Sequence, residues 1–431
     1  MNNIINYVKN NYNFYILIGL TLAFHFVSSE AFMIGISILS LFYLLLDMII
    51  NKHFPLNKKY LIIIPLILYL MLGLVFGLSN EEYLTHNVIR DIFYHTNSLA
   101  VIILVLSMFT DRITKEQVFL SFLIVGTIMG VHTLLKVKEY KDSGLDVSYV
   151  NLRIISNSGY IVNFIAVVSF LFIKKLKFIT ISMSLFNLYV SIIAFSRIGI
   201  ILLVCVFVFI NFYYIMFSKH KLYFAIGLLV LCGILIVLYL RTSYIKDTIE
   251  RFSKTLDELN FNKDFSDPLN ANYSWRGYEV HLILEQFKVD NLMTRVFGHG
   301  FGSFIYSETP ITVGSSVDGM YSEELIYELP LFHNGYFGAL FKCGIVGVIL
   351  YISFLVMLYV YSFKYIKNKK DLFLNLALIT YIVLASYVVM GLFHKEVWFP
   401  LIFLVIYLIK YHMDDRDHLL NDKEYKPLLI E

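Results

Sequence analysis

The sequence predicts an all-α polytopic membrane protein with about 12 transmembrane helices and one large extracytoplasmic loop. Hydrophobic residues make up 58% of the 431 residues and charged residues only 16%, whereas ordinary soluble domains contain about 25% charged residues. Apolar stretches long enough to cross about 30 Å of hydrocarbon recur along the chain. Basic residues mark every second connection between these stretches, as expected for a chain that crosses a membrane repeatedly.

The apolar stretches define the candidate spans. They lie at 14–29, 31–50, 60–78, 92–109, 118–135, 160–173, 179–195, 198–217, 223–240, 336–361, 372–393 and 398–411. The chain is thereby divided into four regions. These are helices 1–9 within 1–240, the large loop at 241–335, helices 10–12 within 336–411, and a cytoplasmic tail at 412–431.

The connections predict which side of the membrane each part faces. Lysine and arginine recur in alternate connections: Lys52, Lys58 and Lys59; Arg112 and Lys115; Lys174, Lys175 and Lys177; Lys219 and Lys221; Lys364, Lys367, Lys369 and Lys370. By the positive-inside rule these connections and both termini are cytoplasmic. The segment 136–159, on the predicted outer face, also carries basic residues and weakens the rule locally. The large loop is then predicted to lie outside.

The loop of about 95 residues between the ninth and tenth spans is large enough to form a small domain outside the bilayer. Its eight lysines and arginines against fourteen aspartates and glutamates leave a charge balance of −6. A loop that is acidic as a whole does not attract anions through its general field. Any anion site in this loop must therefore come from individually placed arginines.

One such arginine lies in the segment Asn272–Asn291. Apolar residues there follow helical spacing after Ser274, a candidate N-cap: Val280, Ile283, Leu284 and Phe287. Arg276 shares that apolar face at the end of the helix where free backbone N–H groups favour an anion. The alternative is an arginine that extends along a lipid surface or pairs with an acid such as Glu279. The sequence leaves both interpretations open.

A glycine-rich stretch, VFGHGFGSF at Val296–Phe304, follows this helix. Its glycines at 298, 300 and 302 permit tight turns and close backbone approach. A glycine-rich run outside a strand-to-helix setting is weak evidence for phosphate binding. The pattern indicates a shaped loop in which His299 is structural.

Two further arginines lie at predicted membrane edges. Ser196 and Arg197 join two spans with almost no connecting residues. An arginine near the membrane core costs about 2.5–3.5 kcal/mol on the insertion scale, so it favours a wet cavity or a partner, although extension to the outer surface is the alternative. Arg153 precedes the span that contains Asn163, and a buried asparagine needs hydrogen-bond partners. These side chains are predicted to face protein or water.

The stretch HNGYFGALFKCGIVG begins with His333 and Asn334 at the outer mouth of the tenth span. Topology places this possible base on the same face as Arg153, Arg197 and Arg276. A lone histidine at the end of a span is often a structural hydrogen bonder. The predicted location of three arginines on the same face favours a functional site instead.

The motifs narrow the chemistry that such a site could perform. The sequence has no HExxH, no paired cysteines, no DxD in the long loop, no Walker loop and no G-x-S-x-G turn. We therefore expect no metal and no cofactor. A reaction outside the membrane without nucleotide needs a substrate that is already activated, such as a lipid-linked pyrophosphate. Arginine binds its oxygens, and a neutral histidine can remove the proton of an acceptor hydroxyl.

Several of these motifs resemble the O-antigen ligase and polymerase superfamily, and the repeat-unit polymerases called Wzy-like in particular. They are SRIGI after the seventh span, WRGYE and FGHGFGSF in the loop, and HNGYFGALFKCGIVG. The resemblance covers roughly 150–411. It implies a GT-C-like architecture, a metal-independent glycosyltransferase and an undecaprenyl-pyrophosphate-linked oligosaccharide as substrate. It also implies a multi-pass protein of the bacterial cytoplasmic (inner) membrane whose active site faces outward.

The resemblance also implies residue roles. Arg197 and Arg276 would bind the pyrophosphate and His333 would activate the acceptor. Arg153 would join the pyrophosphate site, although the family's Asn-Pro-Asn is missing near Asn163, where the chain reads SNSGYIVN. Three residues are expected to support these groups: Asn334, Glu279 and Ser196.

The sequence leaves three functions open. A polymerase adds the growing glycan, for O-antigen or capsule, to a new lipid-linked repeat unit, and the acidic loop favours it over a ligase that docks an anionic lipid A–core. A flippase or transporter of lipid-linked glycan is the alternative of another class. Expected partners are membrane lipid and the lipid-linked oligosaccharide and, by resemblance, a chain-length regulator and a flippase. No nucleic-acid partner is expected.

Overall fold

A computed structural model describes a large part of the chain. The described residues are 13–23, 35, 38, 42, 58–80, 83–108, 113–143, 160–174, 176–194, 197–217, 257–317, 320–330, 332–388, 391–393 and 398–424. They form a helical bundle, a group of short helices and one β-hairpin. The predicted spans 223–240 and most of 31–50 lie outside the described residues.

Helices dominate the described chain. They are α1 Asn13–Ala23, α2 Ile64–Leu78, α3 Thr85–Met108, α4 Lys115–Asp142, α5 Tyr160–Ser169, α6 Lys177–Ala194, α7 Arg197–Phe217, α8 Pro268–Tyr273, α9 Trp275–Val289, α10 Leu292–Phe297, α11 Gly335–Tyr365, α12 Lys369–Val388 and α13 Phe403–Glu424. Short helical turns at Lys58–Ile63, Gly391–Phe393 and Trp398–Ile402 precede or join them. Strands β1, Ile305–Val317, and β2, Met320–Leu329, complete the set.

Among the described helices, five are long and apolar enough to cross a membrane: Tyr60–Leu78, Thr85–Leu106, Lys115–Glu139, Gly335–Tyr365 and Lys369–Val388. They coincide with five predicted spans, and they confirm the prediction of a mostly helical membrane protein. Shorter apolar helices occupy parts of three other predicted spans: Asn13–Ala23, Ile201–Phe217 and Phe399–Met413. The total of about 12 spans stays a prediction.

Two features of the described chain correct the sequence prediction. The helix predicted to begin at 92 begins at Thr85. Its first turns include exposed polar residues, Thr85 and His86, and the buried Asp91. The large loop is not purely helical, since β1 and β2 pair as an antiparallel hairpin in which Ile305 lies opposite Leu329. Side chains along the stem alternate, with Ile305 and Ser307 buried and Tyr306 exposed, which is the period of a half-buried strand.

Basic connections gather at one end of the described bundle. The Lys115 ammonium lies 2.6 Å from the Asp371 carboxylate, which also lies 3.0 Å from Nε2 of His412. The backbone N–H of Lys174 donates to Glu116 at 2.8 Å. The start of α11 lies at the opposite end, because Asn334 bonds the Tyr387 carbonyl at the end of α12, whereas Asp371 lies at the beginning of α12. His333 and the basic connections therefore mark opposite ends of the bundle.

The glycine-rich stretch fills the space between α2 and α11. Backbone N–H groups of residues 299, 300 and 301 donate to the carbonyls of Phe341, Lys342 and Gly73 at 2.8–2.9 Å. Gly298 has φ +82°, and a Cβ there would stand 2.4 Å from the Lys342 carbonyl oxygen. His299 bonds Asp290 through Nε2 at 3.0 Å. The stretch is thus a shaped loop with a structural histidine, as predicted.

Gly298→Ala is expected to destabilise the protein by at least about 1–3 kcal/mol, because it adds a Cβ at positive φ and against backbone atoms. Gly338→Ala is the matched control. Its added Cβ would meet only Phe332, at an ordinary 3.6 Å. The measurement is the thermal unfolding midpoint of the detergent-solubilised protein. Equal midpoints for the two variants would contradict the packing of this loop against α11.

Candidate active site

His333 lies where the hairpin passes into α11, and Glu279 of α9 holds it. Nδ1 of His333 is 3.0 Å from one Glu279 carboxylate oxygen, and the His333 backbone N–H donates to the other oxygen at 2.8 Å. The Glu279 side chain is 3% exposed and the His333 side chain 38%. A buried carboxylate thus orients a histidine that remains accessible. The sequence named both residues, but their contact joins segments that are far apart in the chain.

Asn334 fixes the start of α11. Its side-chain oxygen accepts hydrogen bonds from the backbone N–H groups of Tyr336 and Phe337 at 3.1 and 3.2 Å. Its amide nitrogen donates to the Tyr387 carbonyl at 2.9 Å. This is the geometry of an N-cap, and it ties the residue next to His333 to the end of α12.

Arg276 lies in the same group of side chains. Its guanidinium carbon is 4.9 Å from the centre of the Trp275 ring, a cation–π contact. The Trp275 ring meets the His333 ring edge-on at 4.1 Å between centroids. Trp275 therefore stands between the arginine and the histidine and holds both in place.

Glu258 is the acidic partner of Arg276. Its carboxylate lies 3.1 Å from the guanidinium, and the two side chains are 19% and 6% exposed. The sequence alternative in which Arg276 pairs with Glu279 is wrong about the partner, because both oxygens of Glu279 bind His333. The predicted apolar face is confirmed, since Arg276 is buried together with Val280. No periodicity or motif pointed to Glu258.

The first turn of α9 differs from the prediction. Ser274 occupies the N-cap position, but its side chain makes no capping hydrogen bond. Its hydroxyl accepts from the Lys263 ammonium at 2.6 Å and donates to the Asp257 carbonyl at 2.9 Å. The hydroxyl therefore anchors the segment before α8 to the base of α9. Lys263, which sequence reasoning missed, adds a positive charge at Ser274, at the start of the helix that carries Arg276.

The remaining predicted site residues are only partly described. Arg197 begins α7, but its side chain lies outside the described residues, as do Arg153 and Ser196. Asn163 is buried between helices, where its amide donates to the Gly126 carbonyl at 2.8 Å and to the Asn187 side chain at 2.7 Å. It faces protein, as predicted. Of the predicted site, the structure thus brings together His333, Glu279, Arg276 and Asn334.

A second polar group lies within the bundle. The Lys342 ammonium is 2.6 Å from the Asp91 carboxylate, and both side chains are almost fully buried. The same carboxylate oxygen accepts the Gly302 backbone N–H at 2.8 Å, and Lys342 also donates to the Ser303 carbonyl. This ion pair joins α3, the glycine-rich loop and α11. Its sequence signal was a lysine inside a predicted span.

A cavity separates this ion pair from His333. Its walls include His95 and Lys342 on the ion-pair side, and Phe332 and Gly335 on either side of His333 and Asn334. His95 is held by a 2.7 Å bond from Nδ1 to the Asp91 carbonyl. The ion pair therefore lies directly behind the chain that carries the candidate base.

The geometry allows acid–base chemistry at His333. With the Nδ1 proton directed to Glu279, the neutral imidazole presents the Nε2 lone pair to an incoming hydroxyl. A base oriented by a carboxylate, next to a buried arginine, suits proton removal coupled to departure of an anionic group.

Comparison with known proteins gives one match. Residues 182–352 match the family model described as O-antigen ligase (Wzy_C). The matched segment contains Arg197, Arg276, Glu279 and His333 and ends within α11. No curated protein matches the sequence. The match confirms the resemblance to the O-antigen ligase and polymerase superfamily across this segment, a family that acts on lipid-linked glycans.

Proposed function

From this family match as premise, we propose that the protein is a metal-independent polymerase of lipid-linked oligosaccharide repeat units, for O-antigen or capsular polysaccharide. The hydroxyl oxygen of a new lipid-linked repeat unit attacks the anomeric carbon of the growing glycan. The bond from that carbon to the pyrophosphate oxygen breaks, and undecaprenyl pyrophosphate leaves with the bonding electrons. His333 takes the hydroxyl proton. Attack opposite the leaving group inverts the configuration of the anomeric carbon.

The contact between His333 and Glu279 carries this proposal. His299 and His412 also pair with carboxylates, but their side chains are 20% and 9% exposed, whereas that of His333 is 38% exposed. His333 thus combines a buried carboxylate on Nδ1 with a ring that a substrate can reach. Glu279 stabilises the imidazolium that forms when the hydroxyl proton arrives, because its charge lies 3.0 Å from Nδ1. Proton transfer of this kind contributes about 10²–10⁴-fold to a rate.

Arg276 is the described residue proposed to bind the pyrophosphate. A guanidinium matches phosphate oxygens in geometry and charge, and the Glu258 carboxylate lies 3.1 Å from Nη1 of Arg276. Glu258 thus orients the arginine and balances its charge before the substrate arrives. Arg197 and Arg153 are proposed to add the further positive charge that a pyrophosphate needs, with Ser196 in support of Arg197.

The ends of the bundle support an outward-facing site. Basic connections, which favour the cytoplasm, gather at the end opposite the start of α11. We propose that both termini lie in the cytoplasm and that His333 faces outward from the bacterial inner membrane. A flippase would deliver the lipid-linked unit to that face, and a chain-length regulator would limit the product.

A ligase is the second candidate, because the matching family model is described as O-antigen ligase. A ligase transfers finished glycan to lipid A–core or another terminal acceptor. The −6 balance of the loop at 241–335 favours the polymerase, since a phosphate-rich core would be repelled. The two activities share the donor and the base, and they differ in the acceptor.

The test is complementation of a deletion strain with wild type, Arg276→Ala or His333→Ala. Surface polysaccharide is resolved by size on a gel, and the membrane abundance of each variant is measured. We expect single repeat units on the deletion strain and a full ladder with wild type. Both variants are expected to fail at normal abundance, because one lacks a pyrophosphate contact and the other lacks the base.

Other results would select another function. Long chains that accumulate on the lipid carrier in the deletion strain would identify a ligase. A full ladder from both variants would refute the site and favour transport.

A further inference from the structure

Two tyrosines project from the outward face of the β1–β2 hairpin. Tyr306 is 62% exposed and Tyr327 41%. Their rings stack with centroids 6.2 Å apart and planes inclined by 17°. Large aromatic rings bury much apolar area when they fold into a core, so a stacked pair that the fold leaves exposed marks a surface for recognition. We call this pair the tyrosine platform.

The stem of the hairpin fixes the platform relative to the candidate active site. The hydroxyl of Tyr278, on α9, lies 2.7 Å from the hydroxyl of Ser307. Ile305 and Leu329 share a small core with Phe332, the residue before His333. The platform is therefore held by the same packing that positions the base.

The distance suits a chain of sugar rings. Tyr327 precedes His333 by six residues, and an extended chain advances about 3.3–3.6 Å per residue. The platform thus lies within about 20 Å of His333. A few linked sugars span that distance, so rings next to the reacting one would reach the tyrosines.

The charges beside the platform select the ligand. Glu308 and Glu328 are both exposed, and Glu328 lies opposite Tyr306 in the hairpin register. Carboxylates accept hydrogen bonds from hydroxyls and repel phosphates and anionic lipid head groups. Ring faces flanked by carboxylates match a sugar, which presents apolar C–H bonds on one face and hydroxyls at its edge.

We infer that the tyrosine platform is a glycan subsite, which stacks sugar rings of the lipid-linked substrate beside the transfer site. This inference rests on the proposed function, because it gives the ligand as the glycan of that same substrate. The platform binds uncharged, hydroxyl-rich rings and takes no part in proton transfer. It holds the glycan while its end reacts at His333.

The test measures binding of oligosaccharides released by partial acid hydrolysis from the surface polysaccharide of the wild-type strain. Full-length protein in lipid nanodiscs is titrated with this probe. Tyr306→Leu with Tyr327→Leu is expected to weaken binding on the order of tenfold, since two stacking contacts are lost. Tyr306→Phe with Tyr327→Phe keeps the ring faces and is expected to stay close to wild type. Tyr273→Leu, at a tyrosine on α8 that is 76% exposed, is the control and should bind normally.

Several results would overturn the inference. The subsite is refuted if the wild-type protein does not bind the probe. It is also refuted if the variant with both leucines binds the probe as tightly as wild type does. The second result would be expected if the surface only touched lipid, since leucine replaces tyrosine there. If the phenylalanine pair binds as weakly as the leucine pair, the tyrosines hold the probe through their hydroxyl groups and not by ring stacking.

The proposed function can fail separately. His333→Ala should bind the probe normally while it makes no ladder, because His333 lies outside the platform. If the deletion strain keeps its ladder but binding still depends on the rings, the polymerase proposal fails and the subsite stands. If His333→Ala abolishes the ladder and the leucine pair both binds and polymerises as wild type does, the subsite alone fails.

Discussion

Glu279→Gln is expected to lower kcat for glycan transfer by about 10²-fold or more, and His333→Ala by about 10²–10⁴-fold. Glutamine preserves the size of the side chain and an acceptor for the His333 backbone N–H. It removes the negative charge beside Nδ1, so the imidazolium formed on proton transfer is no longer stabilised. KM should change little, because neither residue is proposed to bind the pyrophosphate.

The measurement is the initial rate of polymer formation by purified protein in nanodiscs, with polyprenyl-pyrophosphate-linked repeat units as substrate. Glu285→Gln is the matched control on the same helix. Glu285 is exposed and pairs with Lys288 at 2.6 Å, one turn away. A Glu279→Gln enzyme as fast as the Glu285→Gln enzyme would show that the contact with His333 is only structural.

Lys342→Met is expected to destabilise the protein by up to about 3–5 kcal/mol. The buried Asp91 carboxylate loses the ammonium beside one oxygen and keeps the Arg90 guanidinium, 3.1 Å from the other oxygen. The loss should also loosen the glycine-rich loop, since the same carboxylate holds the Gly302 N–H at 2.8 Å. The expected result is a lower unfolding midpoint and less protein in the membrane. Activity per folded molecule should fall less than in His333→Ala, because the ion pair lies behind the base and touches no proposed substrate.

A double variant separates the cost of removing one charge of the buried pair from the net stability that the ion pair provides. Asp91→Leu with Lys342→Met removes both charges and should recover much of the lost stability, as replacement of a buried pair by apolar residues often does. Lys364→Met, at an exposed position near the other end of α11, is the control and should change the midpoint little. If Lys342→Met unfolds at the temperature of this control, the buried pair does not hold the bundle together.

Much of the membrane architecture could be predicted because hydropathy acts locally. A stretch such as 60–78 must be apolar along its length to lie in lipid, and the structure has a helix long and apolar enough to cross a membrane at Tyr60–Leu78. The prediction of a span at 92–109 missed the first turns of α3, because hydropathy does not detect polar residues that are helical. The polar residues from Thr85 to Asp91 lower the hydropathy, yet they are helical, and the one that is buried, Asp91, pairs with Lys342 and Arg90.

The sequence predicted several side chains of the candidate site, but not all of the contacts between them. His333 and Arg276 were found because a titratable residue at a span end and an arginine on an apolar helix face are unusual in their local context. Glu258 carried no such signal. Its importance comes from a contact with Arg276 across 18 residues, in a segment without periodic pattern.

The sequence by itself thus determined the membrane class, the family resemblance and the residues with the relevant chemistry, because each depends on composition or on short motifs. Only the tertiary structure decided that Glu279 binds His333 and Glu258 binds Arg276. One-dimensional patterns fix which face a side chain occupies. The choice between two nearby acids depends on which oxygen the folded chain brings within hydrogen-bonding distance, and long-range packing of α9 against the start of α11 sets that distance.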